Sequence, residues 1–250
     1  MSAPRNAVQL LGDLTARLAT VEGECAEHGA AAVLVRNGLA WYCPACLEVV
    51  KRAEYGEQLA RERRAALHAV AGVPGKYRGQ RFTSSTAEHK AVRMIAASFR
   101  DFIVAEPRWA ALILTGDVGT GKTLLACELA ESLINNLSRS VRYVTAKGMI
   151  SEIQASYGRE GKSEESEIDR FVRPDVLIID EIDAISTKEN AALLLTEIIN
   201  RRYSNDKPMI VITNQPIDSL GQFVGDRVVD RLCENAFPCS LDWPSFRRLV

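Results

Sequence analysis

At 250 residues, with 47% hydrophobic and 25% charged side chains and a net charge of -1, the chain has the composition of a globular protein with room for one large and one small domain. Near-neutrality excludes a whole-molecule field that would draw it to nucleic acid or a membrane, and Lys+Arg match Asp+Glu over residues 1–72, so any DNA contact must be a local patch. No apolar run approaches the roughly 20 residues that cross a bilayer, and the N-terminus has no signal-type apolar stretch. A cytoplasmic address with no membrane partner is therefore expected.

Val8, Leu11, Leu14, Leu18 and Val21 recur at spacings of three and four, which predicts a helix over 6–22. The next segment pairs "CAEH" with "CPAC". Cys25 and His28, then Cys43 and Cys46, make two knuckles of the C-x2-H and C-x2-C kind that close one tetrahedral zinc site. Buried free thiols beside a surface histidine, or a redox pair in "CPAC", are the competing readings. With all four positions filled the zinc would be structural, and Trp41 and Tyr42 would pack the small core around it. Cys127, Cys233 and Cys239 are expected in the main core, and His68 and His89 have no evident partner.

Residues 47–71 read as a solvated helix of alternating charge. "GVPGKYRGQRF", 72–82, breaks it and sets the expected domain boundary, 1–72 against 73–250. Beyond it the pattern alternates: helix 86–104, strand 110–115, helix 122–136, strand 141–145 and helix 146–157. Strand 176–180, helix 188–203, strand 208–213, short helices over 216–235 and a strand near 237–241 follow. Continuous apolar strands separated by helices predict a parallel sheet covered on both faces. The polar segment 158–169 is expected to be a mobile insertion.

Between the first of these strands and its helix lies "GDVGTGKTL", residues 116–124, a full G-x-x-x-x-G-K-T match. Gly116, Gly119 and Gly121 let the backbone turn so that the amides of Asp117, Val118, Thr120 and their neighbours cradle phosphates, and Leu124 enters the helix behind them. The helix start adds its dipole. Lys122 reaches the β- and γ-phosphates of ATP, and the Thr123 hydroxyl is a magnesium ligand. "VLIIDEID" puts Asp180 at a strand end beside that metal and Glu181 next to it as the base for an attacking water. Asp183 is read as the cap of the following helix. "VITN" ends another buried strand, where Asn214, or Thr213 beside it, could hold the lytic water. Arg227 and Arg231 share a helix face. They are a solvated pair, partners of Asp230 and Asp226, or donors aimed at a neighbouring subunit's ATP.

"GDVGTGKT", "VLIIDEID", "VITN" and "GDRVVDRL…LDWPSFR" together resemble the AAA+ ATPases of the bacterial DnaC/DnaI helicase-loader group, relatives of DnaA and of the IstB transposition ATPases. The resemblance covers about residues 73–247. It implies a five-stranded parallel sheet of the P-loop NTPase kind, ATP with Mg2+, and head-to-tail self-association with Arg227 or Arg231 as the arginine finger. It further implies slow, partner-regulated ATP hydrolysis, a helicase-binding N-terminal region carrying Zn2+, and single-stranded DNA on the ATPase domain. Lys147, Arg159 and Lys162 are the local basic residues read as a groove for that strand, with a plain solvated face as the alternative. The cysteine segment is similar to the zinc-bearing front of DnaI-type loaders, with tighter ligand spacing. DnaA would continue into a helical DNA-binding domain, whereas seven residues follow Trp243. The function so implied is delivery of the replicative helicase to single-stranded DNA. The alternatives are an IstB-type ATPase assisting a transposase, disfavoured by the cysteine-bearing front end, and an ATP-binding adaptor with negligible turnover.

Overall fold

The computed structural model describes residues 19–36, 39–82, 85–106, 108–157, 163–184 and 189–246. The chain divides into two compact units, Met1–Glu62 and Arg63–Val250. The first opens with three antiparallel strands, β1 (Ala19–Cys25), β2 (Gly29–Arg36) and β3 (Leu39–Tyr42). Cys25 pairs with Gly29 across a tight turn, where Gly29 takes φ +67°, a left-handed conformation that favours glycine. Residues 19–22, expected to finish a helix, are therefore strand, and residues 6–18 of that expectation lie outside the described residues. The local sequence explains the outcome. Thr20, Glu22 and Glu24 alternate with Val21, Gly23 and Cys25 at a period of two, and Gly23 weakens a helix.

Helix α1 (Pro44–Val70) buries none of its residues. It begins on proline, whose missing N–H costs nothing at a helix start. Its Glu48–Arg52 and Glu57–Arg61 pairs, at 3.7 and 3.5 Å, have little energetic weight at such exposure. This is the solvated helix expected over 47–71.

The second unit alternates strand and helix. α2 (Ala87–Ala105) precedes β4 (Ala111–Thr115), α3 (Lys122–Leu137), β5 (Val141–Thr145), α4 (Ala146–Gln154) and α5 (Glu164–Val172). β6 (Val176–Asp180), α6 (Glu189–Ser204), β7 (Met209–Ile212), α7 (Ile217–Val224), α8 (Asp226–Cys233) and β8 (Ala236–Ser240) complete it. The sheet runs β5-β6-β7-β4-β8, and every pairing is parallel. Both faces are covered. Leu112 and Leu114 of β4 pack with Val92, Phe99, Leu125 and Leu133 of α2 and α3. Ala111 and Ile113 turn the other way, into a core with Met149, Phe171, Leu195 and Val228. The carboxyl ends of β4, β6 and β7, where open α/β sheets bind ligands, deliver Gly116, Asp180 and Thr213 to one edge.

Four expectations need correction. Residues 164–169 of the supposed insertion are the start of α5, closed by a reciprocal Ser163–Ser166 capping box and buried through Ile168, Phe171 and Val172; residues 158–162 lie outside the described residues. The acidic string Glu164, Glu165 and Glu167 is its first turn, where carboxylates suit the helix dipole. Asp183 does not stand directly before a helix; it lies inside the 3-10 turn Ile182–Ala184, and its Oδ1 has no hydrogen-bond partner among the described residues. Cys127 and Cys239 are buried, but Cys233 is exposed, because α8 buries Val228 and Leu232 and the next position rotates away. His68 and His89 do have partners: His68 Nε2 lies 2.8 Å from Asn135 Oδ1, and His89 Nδ1 lies 3.2 Å from Ser85 Oγ.

Arg202 is fully buried. Its guanidinium donates to the carbonyls of Phe171, Val172 and Pro174, and to those of Asp175 and Pro208. It closes the end of α5 and the entries to β6 and β7 at once. Burial lowers its pKa to about 9, opposed by the nearby Asp175 carboxylate, and the carbonyl set stabilises the charge by direct hydrogen bonds.

Candidate nucleotide site and metal-ligand cluster

β4 is buried at all five positions and runs directly into the glycine turn. Gly116 has φ +130°, and a Cβ there would lie 2.5 Å from the Leu241 carbonyl oxygen, so no other residue fits. Gly121, at φ +100°, precedes α3 with no side-chain cap. An uncapped helix start offers its amides and dipole to an anion. Lys122 Nζ is folded back on the loop, donating to the Gly116 and Asp117 carbonyls at 2.6 and 2.7 Å.

The loop is held from behind by the C-terminal segment. Leu241 N donates to Thr115 O, Phe246 N to Gly119 O at 3.0 Å, and Trp243 Nε1 to Thr120 O at 3.0 Å. His89 stands edge-on to Trp243 with ring centroids 4.4 Å apart, and Phe82 joins them. The "KYRGQRF" lead-in is fixed to α3 by Glu128, a buried carboxylate that accepts from Phe82 N at 2.8 Å and from Arg93 at 3.0 Å.

Opposite the loop, Asp180 is held at both oxygens. Oδ2 accepts from Thr123 Oγ1 at 2.9 Å and from the Tyr143 hydroxyl at 2.6 Å; Oδ1 accepts from Glu181 N at 2.9 Å. Burial first, then the Asp180 carboxylate, drives the Tyr143 phenol well above its ordinary pKa, which keeps it a donor. Glu181 has φ +53°, an uncommon conformation for a residue with a Cβ and one that concentrates at functional sites. The 2.9 Å between the Thr123 and Asp180 oxygens matches adjacent ligands of an octahedral magnesium shell, about 3.0 Å apart for bonds of about 2.1 Å. A hydroxyl and a carboxylate are the hard oxygen donors this ion takes, so these residues fit it.

A cavity of about 240 Å3 joins these groups. Its lining includes the polar Lys122, Thr123, Asp180, Glu181, Thr213 and Asn214 and the apolar or aromatic Tyr77, Val118, Leu124, Ile212 and Phe246. Charged groups together with apolar and aromatic ones are what a nucleoside triphosphate requires. Thr213 and Asn214 both line the cavity. The Thr213 hydroxyl accepts from Gln215 N at 3.0 Å and is buried, whereas Asn214 is exposed at the cavity. Tyr77, Tyr143 and Phe246 were not singled out from sequence. Their signal was an aromatic residue inside the lead-in, β5 and closing motifs, readable only once topology brings those segments together.

Arg227 and Arg231 do not line this cavity. Arg227 is exposed on α8. The Arg231 guanidinium lies 4.8 Å from the Tyr203 ring centroid, and its carbonyl accepts from Trp109 Nε1. Lys147 is exposed on α4, while Arg159 and Lys162 lie outside the described residues.

In the first unit Cys25, His28, Cys43 and Cys46 place one ligand atom each within 4.8 Å of the others. His28 Nδ1 lies 3.7 Å from Cys25 Sγ and 3.4 Å from the sulfurs of Cys43 and Cys46, and Cys25 and Cys46 are 3.7 Å apart. A tetrahedral zinc with bonds of about 2.3 Å to sulfur and about 2.0 Å to nitrogen has edges of about 3.8 Å and about 3.5 Å. The donor set and its spacing fit zinc. Cys46 N also donates to Cys43 Sγ at 3.3 Å. A hydrogen bond from His28 lowers the Cys25 thiol to about 6, while the contact with Cys43, and then burial, push the Cys46 thiol up to about 12.

Known proteins bear on this site. "Replicative helicase loader DnaC" of Escherichia coli (strain K12) is 29% identical over 142 residues, 56% of this chain. The match spans 58% of that relative's own length. The protein of the same name from Buchnera aphidicola subsp. Baizongia pistaciae (strain Bp) is 26% identical over 182 residues, 72% of this chain and 74% of the relative. Among solved structures, the crystal structure of the DnaC helicase loader superimposes with TM-score 0.57 at 19% identity, covering 67% of this chain and 99% of that one. A DnaA structure bound to AMPPCP and single-stranded DNA gives 0.57 at 18% identity, over 69% and 51% of the two chains. These superpositions place the second unit in the AAA+ fold of DnaC and DnaA. The sequence model described as IstB-like ATP binding protein matches residues 49–248, so the chain belongs to the family of IstB-like ATP-binding proteins.

Proposed function

We propose that this protein is an ATP-dependent loader that binds the replicative DNA helicase and delivers it to single-stranded DNA. The observation that carries the reading is the convergence of Lys122, Thr123, Asp180, Glu181 and Asn214 on one cavity, in a chain whose relatives are named helicase loaders. In this reading Lys122 exchanges the Gly116 and Asp117 carbonyls for the β- and γ-phosphates of ATP. The amides of Asp117, Val118, Gly119, Thr120 and Gly121 receive the phosphate oxygens, and Leu124 backs them. Thr123 and Asp180 would hold Mg2+, which supplies Lewis-acid neutralisation of the phosphate charge when bound.

Glu181 takes the proton of a water oriented by Asn214. The water oxygen bonds to the γ-phosphorus, the bond to the β-γ bridging oxygen breaks, and ADP and phosphate leave. A pure binding adaptor needs neither of these two side chains at the cavity. Arg227 and Arg231, absent from the lining of their own cavity, complete the site of a neighbouring copy in a head-to-tail assembly. Residues 1–72, with zinc on Cys25, His28, Cys43 and Cys46, grip the helicase, and residues 73–250 bind ATP and the DNA strand in the cytoplasm.

The match to the IstB-like ATP-binding model favours one second reading, the IstB-type alternative raised from the sequence, an ATPase that assists a transposase. Affinity capture from the host in the presence of ATP separates the two. Recovery of the replicative helicase supports the loader, recovery of a transposase supports the second reading, and recovery of neither contradicts both.

A further inference from the structure

Asp180 is served by three donors, and only two of them, Thr123 and the Glu181 amide, belong to the motifs that mark the site. The third comes from the edge of the sheet. β5 pairs with β6 in register, Tyr143 against Ile178 and Thr145 against Asp180. The Tyr143 ring therefore reaches forward by one pleat repeat to place its hydroxyl 2.6 Å from Asp180 Oδ2.

The tyrosine is anchored at its other end as well. Its ring is buried in the core shared with α2 and α3, and its backbone N donates to Ala71 O at 2.7 Å. Gly72 (φ +72°) passes so close that a Cβ there would lie 2.6 Å from the Tyr143 carbonyl oxygen. Such a fixed ring aims its hydroxyl without freedom to search.

We propose that Tyr143 is a positioning residue for magnesium-nucleotide binding, holding the Asp180 carboxylate in the orientation that receives the metal. The proposal rests on the nucleotide reading of the cavity. Thr123 Oγ1 and Tyr143 OH now share Oδ2. A metal that recruits the Thr123 hydroxyl takes that donor away from Oδ2 and leaves Tyr143 to fix the oxygen alone. Groups that orient metal-binding carboxylates in this way typically change metal affinity by tenfold or more when removed.

The test uses the full chain, wild type and Tyr143→Phe, which keeps the ring and deletes the hydroxyl. A fluorescent ATP analogue is bound to zinc-loaded protein exchanged into magnesium-free buffer, and MgCl2 is then titrated in. Nucleotide affinity in magnesium-free buffer should match in the two proteins, while the Mg2+ concentration at half-saturation should rise about tenfold in the variant. Excess Mg2+ should restore full binding. Thermal unfolding without nucleotide checks that the ring still packs. Equal Mg2+ midpoints overturn the role of Tyr143, as does a loss of nucleotide affinity that is the same at every Mg2+ level. Wild-type protein that binds no nucleotide at all overturns the reading of the cavity and this proposal with it.

Discussion

Zinc removal is the perturbation whose size the structure sets most clearly. Among the residues of the first unit whose burial is described, Cys43 alone is buried, and the long helix that follows buries nothing. Little apolar area is therefore available from those residues to offset the entropy of ordering them. Four metal-ligating atoms within 4.8 Å of one another would, with zinc bound, provide what the core does not. Structural zinc contributes on the order of 10 kcal/mol in small domains, as much as a typical domain's whole stability of about 5–15 kcal/mol. Chelation, or Cys43→Ser, should unfold this unit and leave the Arg63–Val250 unit intact. Calorimetry of the full chain should show one transition lost on chelation and one unmoved, with zinc bound at one per chain beforehand. A metal-free preparation with both transitions present would refute the reasoning.

Other outcomes follow from the same geometry. Glu181→Gln keeps the hydrogen-bonding shape but not the base, so ATP should remain bound while turnover falls about a hundredfold or more; single-turnover hydrolysis at the wild-type rate would remove Glu181 from that role. Arg231→Ala should leave ATP affinity unchanged and lower hydrolysis at least about tenfold. An equally active variant ends the finger role at that position. Arg202→Met recovers the cost of burying a guanidinium but strips a donor from five carbonyls. At about 1–3 kcal/mol for each that stays dry, the net loss should be about 3 kcal/mol or more in urea unfolding. A variant as stable as wild type would show those carbonyls are satisfied otherwise.

Much of the second unit was legible because its signals are local. "ALILT" and "VLIID" are continuous apolar runs that only a doubly covered strand explains, and the glycine turn between strand and helix spells its own conformation at Gly116 and Gly121. The Cys25/His28 and Cys43/Cys46 knuckles were legible because ligand chemistry fixes their spacing. What escaped depends on contacts distant in sequence. β1 shares its stretch with the end of an apolar 3–4 pattern, and its pairing with β2 decides the outcome. α5 hides its apolar stripe behind an acidic first turn. Arg202 reads as one half of a basic pair near a helix end, and only the approach of α5, β6 and β7 shows why it is buried. Tyr143 likewise acquires its contact with Asp180 from strand order, and Phe246 its place at the cavity from the return of the C-terminal segment to the glycine loop.

The central claim is that the cavity between Lys122 and Asp180 binds ATP with magnesium. Isothermal titration of the full chain with ATP in Mg2+ tests it directly, with Lys122→Ala alongside. The account predicts one ATP per chain for wild type and an affinity at least about a hundredfold weaker for the variant, the worth of one strong charge-assisted contact of about 3 kcal/mol. No measurable binding by the wild type, or equal affinity in the two proteins, would contradict it.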